Sequence, residues 1–193
     1  MLGWRRTPVK LSIVRMCLIS ALAAGCAQLP ADTGSAAEGY RVFALELLQA
    51  KPKSVVIRAD LEAHLDGLAA QARQAAGRPP LVASDLLRDA ARAQALEMLQ
   101  GDYVGHQSRS GYQFKHRFAA FADPDVHGSH GENAARDRQA GPVDGAKARR
   151  LFQQWLDSTG HRRNLMNRNY RFVSTGAVEH GHHLYAVQIF WER

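Results

Sequence analysis

Three side chains of chemically useful type stand at the ends of predicted elements: His106, Glu132 and His161. Two imidazoles and a carboxylate form a common set for a divalent metal ion or for a proton relay. Their spacing along the chain does not show that they meet. That depends on the elements that carry them.

His161 follows the clearest of these. Ala148, Leu151, Phe152, Trp155 and Leu156 recur at i, i+3, i+4, i+7 and i+8, one apolar stripe of an α-helix with Arg149, Arg150, Gln153 and Gln154 left for solvent. Trp155 belongs to the core on this reading. Gly160 is expected to stop the helix in a left-handed turn, presenting His161 just beyond it. His106 follows a second helix, in which Ser84 is the expected N-cap, Leu87, Ala91, Ala95, Met98 and Leu99 form the stripe, and Gly101 is the stop. An earlier helix carries Leu61, Leu65, Leu68 and Ala72 and ends near Gly77-Arg78-Pro79-Pro80, with His64 as a surface or rim histidine beside its stripe. Tyr40 to Ala50 fits a short helix or a strand. Residues 107–131 read as loop, apart from a short ordered segment marked by Arg117, Phe118 and Phe121. Glu132 follows in Gly131-Glu132-Asn133-Ala134-Ala135, and then a second loop with Gly141-Pro142. Asn133 is expected to brace a turn through its amide. Phe172–Val178 and Leu184–Trp191 are β-branched and aromatic, and they predict a β-hairpin across Glu179–His183. Helices precede strands without βαβ alternation, so the fold class is α+β, helices on a small, mainly antiparallel sheet.

The first 25 residues read as a signal peptide. They carry Arg5, Arg6, Lys10 and Arg15 and no acid, and Met16–Ala24 is too short to span a bilayer as a helix, which takes about 20 residues. Leu22-Ala23-Ala24-Gly25-Cys26 resembles a bacterial lipobox, with Ala23 where leucine is usual. Lipidation of Cys26 is the expectation, against ordinary cleavage nearby or an uncleaved anchor. Setting those four cations aside takes the 25 basic residues to 21 against 18 acidic ones, a net of +3, which gives no reason to expect nucleic acid as a partner. Both cysteines, Cys17 and Cys26, lie in this region, so the folded part has no intramolecular disulfide or thiolate metal site. Residues 27–39 read as a tether. The organisation expected is residues 1–25 as signal, 26–53 as lipidated Cys26, tether and a short ordered segment, and 54–193 as one domain.

The order of motifs resembles the CAP superfamily, also called SCP or PR-1-like, in its compact bacterial form. It runs L-x-x-A-A-x-x-Q-A-x-x-M (Leu87–Met98), G-H, G-E-N, W-x-x-S-x-G-H-R-x-N-L (Trp155–Leu165), then Y-A-V-Q-I-F, and covers about residues 60–193. The resemblance implies an α-β-α sandwich in a secreted or surface protein, some members binding lipids. It also implies a cavity with two histidines and two acids, able in some members to hold zinc or another divalent ion. Position by position, His106 and His161 take the histidine places and Glu132 the first acid. The second acid's place holds Ser158. Asp157 beside it points about 100° away on a helix and does not replace it. His130 and His127 are spare loop ligands, and His130, Asn133 and Ser158 are expected at the cavity rim.

The function expected from these residues and this resemblance is an extracytoplasmic binding module, held at the membrane through Cys26, for a lipid or small apolar or envelope ligand. Zinc or another divalent metal is the one cofactor considered. A metal-dependent hydrolase with Glu132 as general base, and a non-catalytic protein-interaction domain, are the alternatives.

Overall fold

A computed structural model of the chain describes residues 33–192 except Asp125 and His127. The proposed signal peptide, Cys26 and the spare histidine His127 lie outside the described residues. The elements are α1 (Thr33–Gln49), β1 (Val55–Ile57), α2 (Ala59–Ala75), β2 (Val82–Ala83), α3 (Arg88–Gly101), α4 (Phe114–Phe121), β3 (His130–Asp137), α5 (Gly145–Asp157), α6 (Thr159–Leu165), β4 (Phe172–His180) and β5 (His183–Trp191). Among them, no helix is long and apolar enough to cross a membrane.

The hairpin predicted from the C-terminal runs is the centre of the sheet. β4 and β5 pair antiparallel through a two-residue turn, whose first residue, Gly181, has φ +60°, as a type II′ hairpin requires. β3 adds to β5 and β1 to β4, both antiparallel, and β2 pairs parallel with β4, giving the order β1-β4-β5-β3. Because side chains alternate across a strand, β5 divides its residues between two cores. Leu184, Ala186 and Phe190 pack with α2, α5 and α6, whereas Tyr185, Val187, Ile189 and Trp191 pack with α3 and α4. The sheet is covered on both faces, which explains why its central strands read as unbroken apolar runs. The architecture is the α-β-α sandwich expected. α3 lies so close to β4 that a Cβ on Gly176 would stand 2.2 Å from the Arg92 backbone nitrogen.

α5 buries Ala148, Leu151, Phe152 and Trp155, the stripe read from the sequence, and Asp144 caps it by accepting from Ala146 N and Lys147 N. Four expectations are corrected. The tether does not reach Gly39: residues 33–39 open α1, where Ala37, Tyr40 and Ala44 pack with Ala93 and Ala120. The small residues there serve close helix packing. Tyr40–Ala50 is correspondingly helix. Ser84 accepts from Leu86 N at 3.3 Å in a turn, and α3 starts after Leu87, whose N–H is taken by Ser174 Oγ. Gly160 is no left-handed stop. α5 ends at Ser158, whose extended backbone (ψ 122°) closes that helix and whose side chain opens α6 by accepting from His161 N, so Gly160 and His161 lie within α6. Finally, Gly131–Ala135 is part of the strand β3, so Asn133 braces no turn.

Candidate functional site

His106 contacts Glu132 and stands beside His161. They come from three places: the segment after α3, the edge strand β3, and the first turn of α6. The His106 segment is fixed from behind. Asp102 takes the left-handed conformation (φ 48°) that ends α3, and its carboxylate accepts from Arg136, Arg138 and Tyr185 Oη. Gln94 Nε2 then donates to the Gly105 carbonyl at 2.8 Å.

The residue that organises the site is Arg117 of α4, noted in the sequence only as a mark of local order. It is wholly buried, and its Nη2 donates to both oxygens of Glu132 at 2.7 Å while Nη1 donates to the His106 carbonyl at 2.9 Å. Glu132 also lies 2.9 Å from His106 Nδ1 through Oε1. A carboxylate bound to a guanidinium has no proton to give, so Nδ1 must carry the hydrogen. The lone pair of a neutral His106 is then on Nε2, and 55% of that side chain is open to solvent. The signal that could have revealed Arg117 is its position: a cation between aromatics in F-K-H-R-F-A-A-F, a place that demands a buried partner.

His161 stands with its ring centroid 6.2 Å from that of His106. Burial, and then the neighbouring His106, push its pKa below the usual histidine value, which keeps the imidazole neutral at neutral pH. Its backbone is tied to the sheet: Asn133 Nδ2 donates to the His161 carbonyl at 3.1 Å, and Asn164 Nδ2 donates to Asn133 Oδ1 and to the Glu132 carbonyl. Asn133 thus braces α6, and it is fully buried rather than at a rim. His130 is drawn elsewhere, stacking on Phe118 with centroids 4.1 Å apart. Ser158 and His161, with Val104, Ala134, Ala135, Arg136 and Gln154, line an open groove of about 410 Å³.

Among the described residues, no group of three or more His, Cys, Asp or Glu is disposed to hold a metal ion. The donor set fits an ion only through the two imidazoles. An ion bound at ~2 Å to a ring nitrogen stands about 3 Å from that ring's centroid, and at tetrahedral angles two such centroids lie about 5 Å apart. The 6.2 Å here therefore requires one imidazole to turn inward before both share an ion. Glu132 fits the set as the carboxylate that orients a ligating histidine, since both its oxygens already accept N–H bonds.

The comparisons with known proteins agree with this fold. Residues 67–191 match the CAP family, the cysteine-rich secretory protein family. The uncharacterized protein YkwD of Bacillus subtilis (strain 168) is 31% identical over 112 residues, 56% of this chain and 39% of that protein. Two solved structures share the fold. An outer surface protein of Borrelia burgdorferi is matched over 72% of this chain and 97% of its own, at 17% identity and TM-score 0.61. An extracellular SCP-domain protein of Bacillus anthracis str. Ames is matched over 69% of this chain and 41% of its own, at 23% identity and TM-score 0.55. The chain spans about two fifths of the two Bacillus proteins it matches. Motif order, sandwich fold and family match together place the chain in the CAP (SCP/PR-1-like) family.

Proposed function

We propose that this chain is an extracytoplasmic binding module that takes a small ligand in the groove beside His161, where His106 and His161 hold a divalent ion, zinc being the natural candidate. The observation that carries this reading is the Arg117–Glu132–His106 chain of contacts, which holds one imidazole with its free nitrogen outward. The second imidazole is held neutral, the state a metal ligand needs. An ion there would act as a Lewis acid toward an oxygen or nitrogen donor on the ligand. Around it, Val104, Ala134 and Ala135 supply apolar walls and Gln154, Ser158 and Arg136 supply polar contacts. The groove's volume falls within the range of small-molecule sites, about 300–1,000 Å³. The location rests on the signal-like residues 1–25, with Cys26 as the proposed lipid anchor to the cell-envelope membrane, and on relatives described as extracellular or outer-surface proteins. A hydrolase using Glu132 as general base would first have to open one of its bonds to Arg117 or His106.

Calorimetric titration of zinc into the chain and its His106→Ala/His161→Ala variant tests the proposal. Binding at neutral pH that disappears in the variant is expected. Equal heats in both, or none in either, would remove the ion from the site and leave ligand capture to the groove alone.

A further inference from the structure

Two stretches of the chain contain no acid: the residues between Asp66 and Asp85, and those from Ser158 to Val178. They hold Arg73, Arg78, Arg162, Arg163, Arg168 and Arg171. The fold brings the end of α2 and its following turn against α6 and the loop that leads to β4. Arg73 makes the join. It is wholly buried, and its guanidinium donates to the carbonyls of Pro79 (2.7 Å), Leu165 (3.0 Å), Asn167 (2.7 Å) and Tyr170 (3.3 Å). Burial, and then the like charges of Arg78 and Arg171, push its pKa down.

Beside this joint lies an open groove of about 690 Å³, whose walls include Arg78, Arg162, Arg163 and Arg168 with Thr159 and Asn167. A smaller hollow of about 220 Å³ continues past Arg78 and Arg168 to Arg171. Arg162 and Arg171 each spend one nitrogen on a backbone carbonyl, of Leu156 and Arg168. The Nε of Arg78 is buried and has no hydrogen-bond partner among the described residues. Among those residues, too, none of these five arginines lies within ion-pair distance of a carboxylate. Glu192 feels the charge of Arg171, but its carboxylate is taken up by Ser129.

Uncompensated guanidiniums gathered in a concave site repel one another and concentrate anions. Their planar forks match phosphoryl oxygens in pairs, and several facing one hollow favour a ligand of several charges. We infer that this arginine groove, separate from the histidine site, binds a multiply charged phosphate-bearing anion. The phosphate arrives either on a soluble molecule or on a lipid headgroup.

The test compares the chain with Arg163→Ala/Arg168→Ala, which removes two exposed side chains from the groove, and with Lys53→Ala/Arg149→Ala, which removes the same charge from distant exposed positions. Inorganic tripolyphosphate is titrated by calorimetry in chelator at about 0.15 M salt, where surface attraction is screened beyond ~8 Å. Flotation with phosphatidylcholine vesicles, with and without phosphatidylglycerol, forms the second arm, and melting temperatures check folding. The expected result is affinity weakened by about tenfold in the groove variant alone, with charge reversal at Arg78 (Arg78→Glu) weakening it further. A loss confined to tripolyphosphate assigns a soluble ligand, and one confined to phosphatidylglycerol vesicles a headgroup. The inference is overturned by equal losses in both double variants, by citrate binding as tightly as tripolyphosphate, or by no binding in either arm.

Discussion

One nitrogen of Arg117 donates to both oxygens of Glu132, 2.7 Å from each, and both side chains are shut away from water. Removing one member of such a pair strands a buried charge, at a cost of about 3–5 kcal/mol. Arg117→Met is therefore expected to destabilise by that order in urea unfolding. Arg117→Met/Glu132→Leu should recover much of the loss, because two apolar replacements leave no charge to bury. A double variant as unstable as the single one would mean that Arg117 acts mainly through the His106 carbonyl.

Glu132 should govern ion affinity without touching the ion. Glu132→Ala is expected to weaken zinc binding by roughly 10–100-fold, as loss of an orienting carboxylate does elsewhere, while His106→Ala abolishes it. An unchanged dissociation constant in Glu132→Ala would reject the orienting role.

The depressed pKa of His161 sets a direction for pH dependence. As pH falls below the ordinary histidine value of about 6.5, the unfolded chain takes a proton that the folded chain still refuses, so this group's contribution to stability falls on acidification. Chemical denaturation between pH 7.5 and about 5 should show a smaller loss for His161→Gln than for the parent chain. Zinc affinity should also decline across the acid end of that range.

Asp66 has the opposite sign. Burial raises its pKa to about 6, against the hydrogen bond from Thr175 and the nearby charge of Arg88, so its folded form holds a proton that the unfolded form has lost. Its contribution is fully present at low pH and is lost as pH rises through about 6. Asp66→Asn, which does not ionise, should thus compare more favourably with the parent at pH 7 than at pH 4.5. A stability difference independent of pH would argue against the raised value.

Ser158 offers a direct exchange of roles. As the N-cap of α6 it should cost about 1 kcal/mol when replaced by alanine, whereas Ser158→Asp keeps an oxygen for the cap. The aspartate would also place an acid beside His161, and tighter zinc binding is the outcome expected. Thermal melts and zinc titration of the two variants separate capping from ligation.

The hairpin strands were legible as unbroken β-branched and aromatic runs because both of their faces are buried, and the α5 stripe because every third to fourth residue enters a core. β3 was not. His-Gly-Glu-Asn-Ala-Ala-Arg-Asp has little strand preference, and it is a strand because all eight residues pair with β5. The two histidines and Glu132 were visible as types and through family motifs, but their juxtaposition is a tertiary fact. Arg117 escaped because a single arginine in an apolar segment announces burial without naming its partner. Gly160 misled because a serine two residues earlier was already both the end of one helix and the start of the next.

The two asparagines that hold α6 to β3 also bear on how copies of this protein meet. β3 is the last strand of the sheet, with β5 on one side, and a bare strand edge invites another chain to pair with it. Asn164 occupies the Glu132 carbonyl, and Asn133 binds α6 against the same stretch. The helix that delivers His161 thereby shields part of the sheet's margin, and the fastening that assembles the site also guards the protein against edge-to-edge aggregation.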